Sequence, residues 1–225
     1  MRYLIGYSIG LLLLLSLSAT GCRYRIHDEV AGSGNRIRQK REIAPFTSLS
    51  MQGAFDVEIV CQKDVSFEIE GDDNIVPLIT TTLTNNVLYI KAAQSYSVHD
   101  PVMVKISVPN LEGLSVAGAG KFDISGLKND KFEIDCSGAP FIRVSGETKV
   151  IDIDSNGAAK VDTHKLRAER AVVDSKGVSK IDIAVADQLD VTISGPSQVT
   201  YTGDPKVTKK INGPGKLAQK ASDGA

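Results

Sequence analysis

Histidine is scarce in this chain: His27, His99 and His164 are the whole supply. None stands at ligand spacing from another histidine or a cysteine, which argues against a zinc site. No serine occupies a nucleophile-elbow pattern and no glycine-rich loop precedes a helix, so the usual hydrolase and nucleotide signatures are missing. Gly118-Ala119-Gly120 is a lone fragment. A charge excess is missing too: Lys plus Arg number 26 and Asp plus Glu 27, a net charge of −1. With no basic surplus to neutralise phosphates, nucleic acid drops out as a partner. No apolar run reaches the about 20 residues that span a bilayer. No cofactor is expected.

What the chain does contain is a repeat. From Leu114 to Leu217 an alternating strand, a glycine, three small or polar residues and a second alternating strand recur. In register on Gly118, Gly138, Gly157, Gly177, Gly195 and Gly213, the steps are 20, 19, 20, 18 and 18 residues. Four residues before each glycine stand Leu114, Ile134, Ile153, Val173 and Val191, with Lys209 breaking the column in the last copy. Four after come Phe122, Ile142, Val161, Ile181, Val199 and Leu217. Side chains two apart share one strand face, so these columns point inward. The lysines three after the glycines (Lys121, Lys160, Lys180, Lys216) and the aspartates five after (Asp123, Asp162, Asp182) point to water. The glycine sits where a positive-φ turn or a close backbone approach leaves no room for a side chain.

A period this short leaves no space for a helical crossover. Each copy is therefore expected to form one coil of an all-β, right-handed parallel β-helix (β-solenoid) of about 18–20 residues per coil, equivalent residues stacking at about 4.8 Å. A less regular β region, residues 37–113, precedes the repeats of residues 114–220. In it Leu49, Met51, Val57 and Ile59 surround Gly53 as an early copy of the motif. Val65–Ile69, Val87–Ile90 and Val102–Val108 read as strands, Asn85-Asn86 as a hairpin turn, and Ile75–Ile79 as a short helical turn or loop.

Residues 1–21 carry Arg2, an apolar run from Leu4 to Leu17 and a small-residue end, Ser18-Ala19-Thr20-Gly21, before Cys22. That is a secretory signal pattern. The cysteine directly after small residues resembles a bacterial lipoprotein lipobox, although Ala19 replaces the usual leucine. The resemblance implies cleavage before Cys22, a lipid on its thiol and membrane attachment. No aspartate follows Cys22, which favours the outer membrane, on its periplasmic or its surface side. Residues 22–36, polar and rich in Gly and Ser, read as a flexible tether.

Phe46 and Leu49-Ser-Met-Gln-Gly53 followed by Asp56-Val-Glu-Ile59, then Glu70-Gly-Asp-Asp-Asn74, and the Ser-Gly or Ala-Gly turns at Gly118, Gly138 and Gly195 together resemble the bacterial auto-transporter adhesin head family, also called the GIN domain. The likeness spans roughly residues 40–217. It implies a β-helical envelope protein with an adhesive or binding role, and it supplies no catalytic residue.

Of the remaining thiols, Cys136 falls in the inward column with Val116 and Ile193, where a free thiol packs as a small hydrophobe. A bond to Cys61 is chemically allowed in an oxidising envelope. Asp135, Asp154 and Asp174 each stand three before a glycine. Stacked on successive coils they repel, and lysine, solvent or a bound cation such as calcium must relieve them. The repeat breaks at Phe141 and Arg143, which replace the Lys and Asp of other copies. An outward aromatic beside an arginine is the candidate ligand-binding pair, suited to a sugar ring or a partner protein. The expectation is a monomeric, non-enzymatic binding head for glycans or for envelope or host proteins. The alternatives are a polysaccharide-active enzyme on a β-helix, or a structural envelope scaffold.

Overall fold

The computed structural model describes residues 29–221, so the signal-like run and Cys22 lie outside the described residues. The described chain is all-β apart from one 3-10 turn, Val76–Leu78. Its main sheet is mixed. The repeats pair in parallel, one period apart: Ile153 lies beside Val173, Val173 beside Val191, and Val191 beside Lys209. On the other side of the glycine, Ile142 pairs with Val161, Ile181, Val199 and Leu217 in turn. The early copy joins the same register, with Gly53 beside Gly118, Leu49 beside Leu114 and Val57 beside Phe122. Antiparallel pairs are confined to the first half: Arg36–Lys40 with Ser66–Asp72, Ser66–Asp72 with Met103–Val108, and the hairpin Ile79–Thr84 with Val87–Ala92.

The inward columns are buried as the alternation requires. Ile142, Ile153, Val161, Ile181 and Val199 are each 0% exposed, and they belong to one continuous core that includes Leu49, Phe55 and Phe122. The glycines mark two different needs. Gly138 has φ 104, a left-handed backbone that glycine tolerates best. Gly157 and Gly177 have no such φ, but a Cβ on Gly157 would lie 2.1 Å from the Gly138 carbonyl oxygen and one on Gly177 2.0 Å from that of Gly157. Close approach of successive copies therefore fixes the period even where the backbone conformation does not. Behind this corner the small residues are serines: Ser155 and Ser179 hydroxyls are 2.7 Å apart, Ser175 donates to Ser197 at 2.7 Å, and Ser197 to the Gly177 carbonyl at 2.8 Å. The ladder satisfies hydroxyls that are otherwise costly to bury.

Three features differ from, or add to, the reading of the sequence. The Gly/Ser stretch before Ile37, expected as a tether, is fastened over its described part. Val30–Ala31 pairs in parallel with Tyr96–Ser97, and Asp72, only 4% exposed, accepts the Gly34 N–H at 2.9 Å. Gly32 permits this, since a Cβ there would meet an Asp72 carboxylate oxygen at 2.1 Å. The remainder of each period is also extended, so that strand runs unbroken from Gly113 to Ser155. Register shifts between Arg143 and Ser145, Thr163 and Arg167, and Ala168 and Arg170 take up the unequal step lengths. Finally, Cys61 and Cys136 are separate, buried, free thiols. Burial pushes the Cys136 thiol up, and that of Cys61 to about 11. The hairpin turn at Asn85 and Asn86, with φ 52 and 62, and the short helical turn near Ile75 are where the sequence places them.

Candidate functional site

Phe141 is half-buried on the outward face of its strand, with two cations over its ring. The Lys160 ammonium stands 4.5 Å from the ring centroid and the Arg143 guanidinium 5.1 Å. Its in-register neighbours are lysines, Lys160 and then Lys180, so the phenylalanine interrupts a column of positive charge and its ring is approached by the adjacent Lys160 and Arg143. Arg143 interrupts the next outward column in the opposite sense. It stands beside Asp162, which is followed by Asp182, and its other neighbour is Asp123, itself beside Glu58. The guanidinium reaches Asp123 through two contacts, Nε to Oδ1 at 2.7 Å and Nη2 to Oδ2 at 3.1 Å. A single arginine thus breaks what would be a run of five carboxylates if its position held the Asp of the other copies, a local electrostatic reason for the departure from the repeat. Both partners are about half exposed, so the pair contributes no more than about 1 kcal/mol.

Alongside runs a groove of about 580 Å³ lined by Asp123, Ser125, Arg143, Ser145, Asp162 and His164 among others. His164 Nδ1 contacts Asp162 Oδ1, and its backbone N–H donates to the same oxygen at 3.3 Å. Burial pulls the Asp162 carboxyl upward, but these bonds outweigh it and hold the group below the usual carboxylate range. The groove thus offers paired donors and acceptors, and Arg143 links it to the Phe141 ring. Histidine entered the sequence reading only as a missing metal ligand; its spacing of two from an outward aspartate was the signal for this pair.

Asp154 and Asp174 stand side by side in register. Asp135 occupies the equivalent place in the preceding copy, where Asn156 N–H bonds to the Cys136 carbonyl at 2.9 Å. The Lys176 ammonium bridges the first two carboxylates, 3.4 Å from Asp154 Oδ2 and 3.1 Å from Asp174 Oδ2. Among the described residues no group of three or more His, Cys, Asp or Glu is placed to hold a metal ion. Lysine is one of the ways to relieve the ladder that the sequence allows, and at Asp154 and Asp174 it is present. Nearby Asp152 pays for its burial: desolvation raises its carboxyl, only partly offset by Lys131, while Glu133, Asp154 and Asp174 push the same way as burial.

A second, larger groove of about 970 Å³ was not anticipated. It runs where the later part of each period turns, and several of its charges are paired: Lys149 with Asp130 at 2.7 Å, Lys128 with Glu147 at 3.2 Å, and Lys131 with Glu133. Thr148 donates to Asn129 at 2.7 Å along its floor.

A family model described as "putative auto-transporter adhesin, head GIN domain" matches residues 45–205. The chain belongs to that family. Among solved structures, this GIN-domain chain is similar to a "putative adhesin" from Bacteroides fragilis, with 20% identity and a TM-score of 0.66 over 86% of this chain and 100% of that one. A "putative adhesin" from Parabacteroides distasonis aligns over 87% of this chain and 100% of its own, with 18% identity and a TM-score of 0.55. At these identities the likeness is one of fold. Among curated proteins no sequence relative is found. The GIN-domain match covers both the Phe141 patch and the carboxylate ladder, and ends just before the last copy of the repeat.

Proposed function

We propose that this GIN-domain protein is a non-enzymatic binding head of the cell envelope, a right-handed parallel β-solenoid carried on a lipid at Cys22 in the outer membrane. Its working face is the Phe141 patch with the adjoining groove. The observation that carries this reading is the stack of Lys160, Phe141 and Arg143 beside a groove of paired donors and acceptors. An aromatic face with forked hydrogen-bonding groups at its side suits a sugar ring or a protein loop. Family membership and the likeness in fold to adhesin-type structures support the same class of role. Parallel pairing one period apart supports the solenoid, and right-handed connection is the rule for such units. Residues 37–113 then act as the irregular first portion of the solenoid, and residues 114–220 as its regular body.

The carboxylate ladder serves solubility in this reading, because Lys176 already neutralises it in part. The test is a glycan and matrix-protein array probed with the chain, with and without calcium. Saturable binding that Phe141→Ala and Arg143→Ala abolish, with an unchanged Tm, supports the adhesive face. Binding that survives both substitutions contradicts it. Depolymerisation of an arrayed polysaccharide instead of its retention would favour an enzyme.

A further inference from the structure

The last copy of the repeat leaves the sheet open. Lys206–Asn212 pairs only with Lys180–Ser194, and Lys216–Gln219 only with Gln198–Thr202, so among the described residues their outer edges have no neighbour. Val207, Ile211 and Leu217 continue the columns of Leu189, Ile193 and Val199, each 0% exposed, yet they are themselves only partly covered. Between Val207 and Ile211 the inward column of Ile153, Val173 and Val191 ends in Lys209. Residues 204–220 hold five lysines against one carboxylate, Asp204, in a chain whose net charge is −1. Lys206, Lys209, Lys210 and Lys216 are exposed and make no ion pair among the described residues. In strand order, Arg36–Lys40 lies at the other end of the sheet, so the segment that enters the fold is remote from this edge.

We propose that this basic edge is a docking site for an extended acidic segment of another protein, added as one further strand along Lys206–Asn212. Three demands of the edge define that segment. Its backbone must satisfy the free N–H and C=O groups of the edge. It needs apolar residues two before and two after a central carboxylate, so that they cover Val207 and Ile211 while the carboxylate meets Lys209. Further acids on its outward side meet Lys206 and Lys210. A second copy of this edge is a poor occupant because lysine would face lysine. A sulfated polysaccharide would use the lysines but leave the apolar column and the backbone groups uncovered. The same lysines thus reject self-pairing and select an acidic strand.

The experiment is fluorescence anisotropy of a labelled peptide, Glu-Val-Thr-Glu-Glu-Val-Thr, titrated with the full chain. Saturable binding is expected, weakening with added salt. Changing the central Glu to Lys should cost roughly tenfold, and the protein substitution Lys209→Glu should reverse that preference. Lys209→Gln, which introduces no new charge, should weaken the Glu peptide and relieve the Lys peptide, so that the difference between them narrows. Phe141→Ala should leave both titrations unchanged, which separates this edge from the Phe141 face. Failure of the Glu peptide to bind, or equal affinity for the two peptides in the unsubstituted chain or in Lys209→Glu, overturns the proposal. So does complete displacement by a sulfated polysaccharide that itself binds equally well to Lys209→Glu.

Discussion

Asp154 and Asp174 lie beside each other in the parallel register, and one ammonium, that of Lys176, reaches both. The arrangement fixes the sign of two effects. Lys176→Glu should lower the Tm, and the loss should shrink as salt is raised, because these groups are exposed enough to be screened. Asp152→Asn should act oppositely. Its carboxyl is raised in the folded chain, chiefly by burial, so the folded state holds its proton more tightly than the unfolded state. Stability contributed by this group therefore falls as pH rises through the carboxylate range. The Asn variant should be more stable than the parent at neutral pH, with the advantage vanishing at acid pH. Thermal melts across pH check both signs, and a destabilised Asp152→Asn at neutral pH would contradict the assignment.

The glycine column predicts a steep contrast. A Cβ on Gly138 would stand 2.2 Å from the Gly118 carbonyl oxygen, at φ 104. Gly138→Ala should cost about 4 kcal/mol or more and abolish the native fold. Gly34 also has a positive φ, 79, but nothing within 4 Å of its Cβ position. Gly34→Ala should cost only about 1 kcal/mol, from backbone strain alone. Circular dichroism melts of the two variants are the check.

The serine ladder behaves as a coupled unit. Ser179→Ala removes the partner 2.7 Å from the Ser155 hydroxyl in the core, and should cost about 1–3 kcal/mol. The double variant Ser155→Ala with Ser179→Ala should cost less than the sum of the singles. Additive losses in a denaturant double-mutant cycle would mean that the hydroxyls act independently.

Most of this was legible because a repeat tests itself: an inward column that holds for Ile142, Val161, Ile181 and Val199 leaves little freedom in register. The hairpin at Asn85-Asn86 was legible because those residues tolerate positive φ. The fastening of residues 30–36 was not, since it depends on Asp72, a residue about forty positions away in sequence, reaching Gly34. Phe141 and Arg143 stood out as breaks in the pattern, but their charge partners come from adjacent copies. Only stacking shows that Arg143 is held by Asp123 and that Lys160 covers the ring. The large groove lined by Asn129 and Thr148 went unread for a similar reason, because that part of each period carries no repeating motif.

The solenoid itself is tested by distance. Lys121 and Lys216 occupy the same column five copies apart, and Lys160 and Lys216 three copies apart. At about 4.8 Å per coil, the two spans should be about 24 and 14 Å. Spin labels on cysteines replacing these lysines, in a Cys22→Ser background with Cys61 and Cys136 buried, give both separations by pulsed electron resonance. Label linkers add similarly to each, so the difference is the decisive quantity. A longer span exceeding the shorter by about 10 Å is the predicted result. Equal spans, or a shorter one between Lys121 and Lys216, would contradict the stacking of coils along one axis, and with it the placing of the Phe141 face and the basic edge.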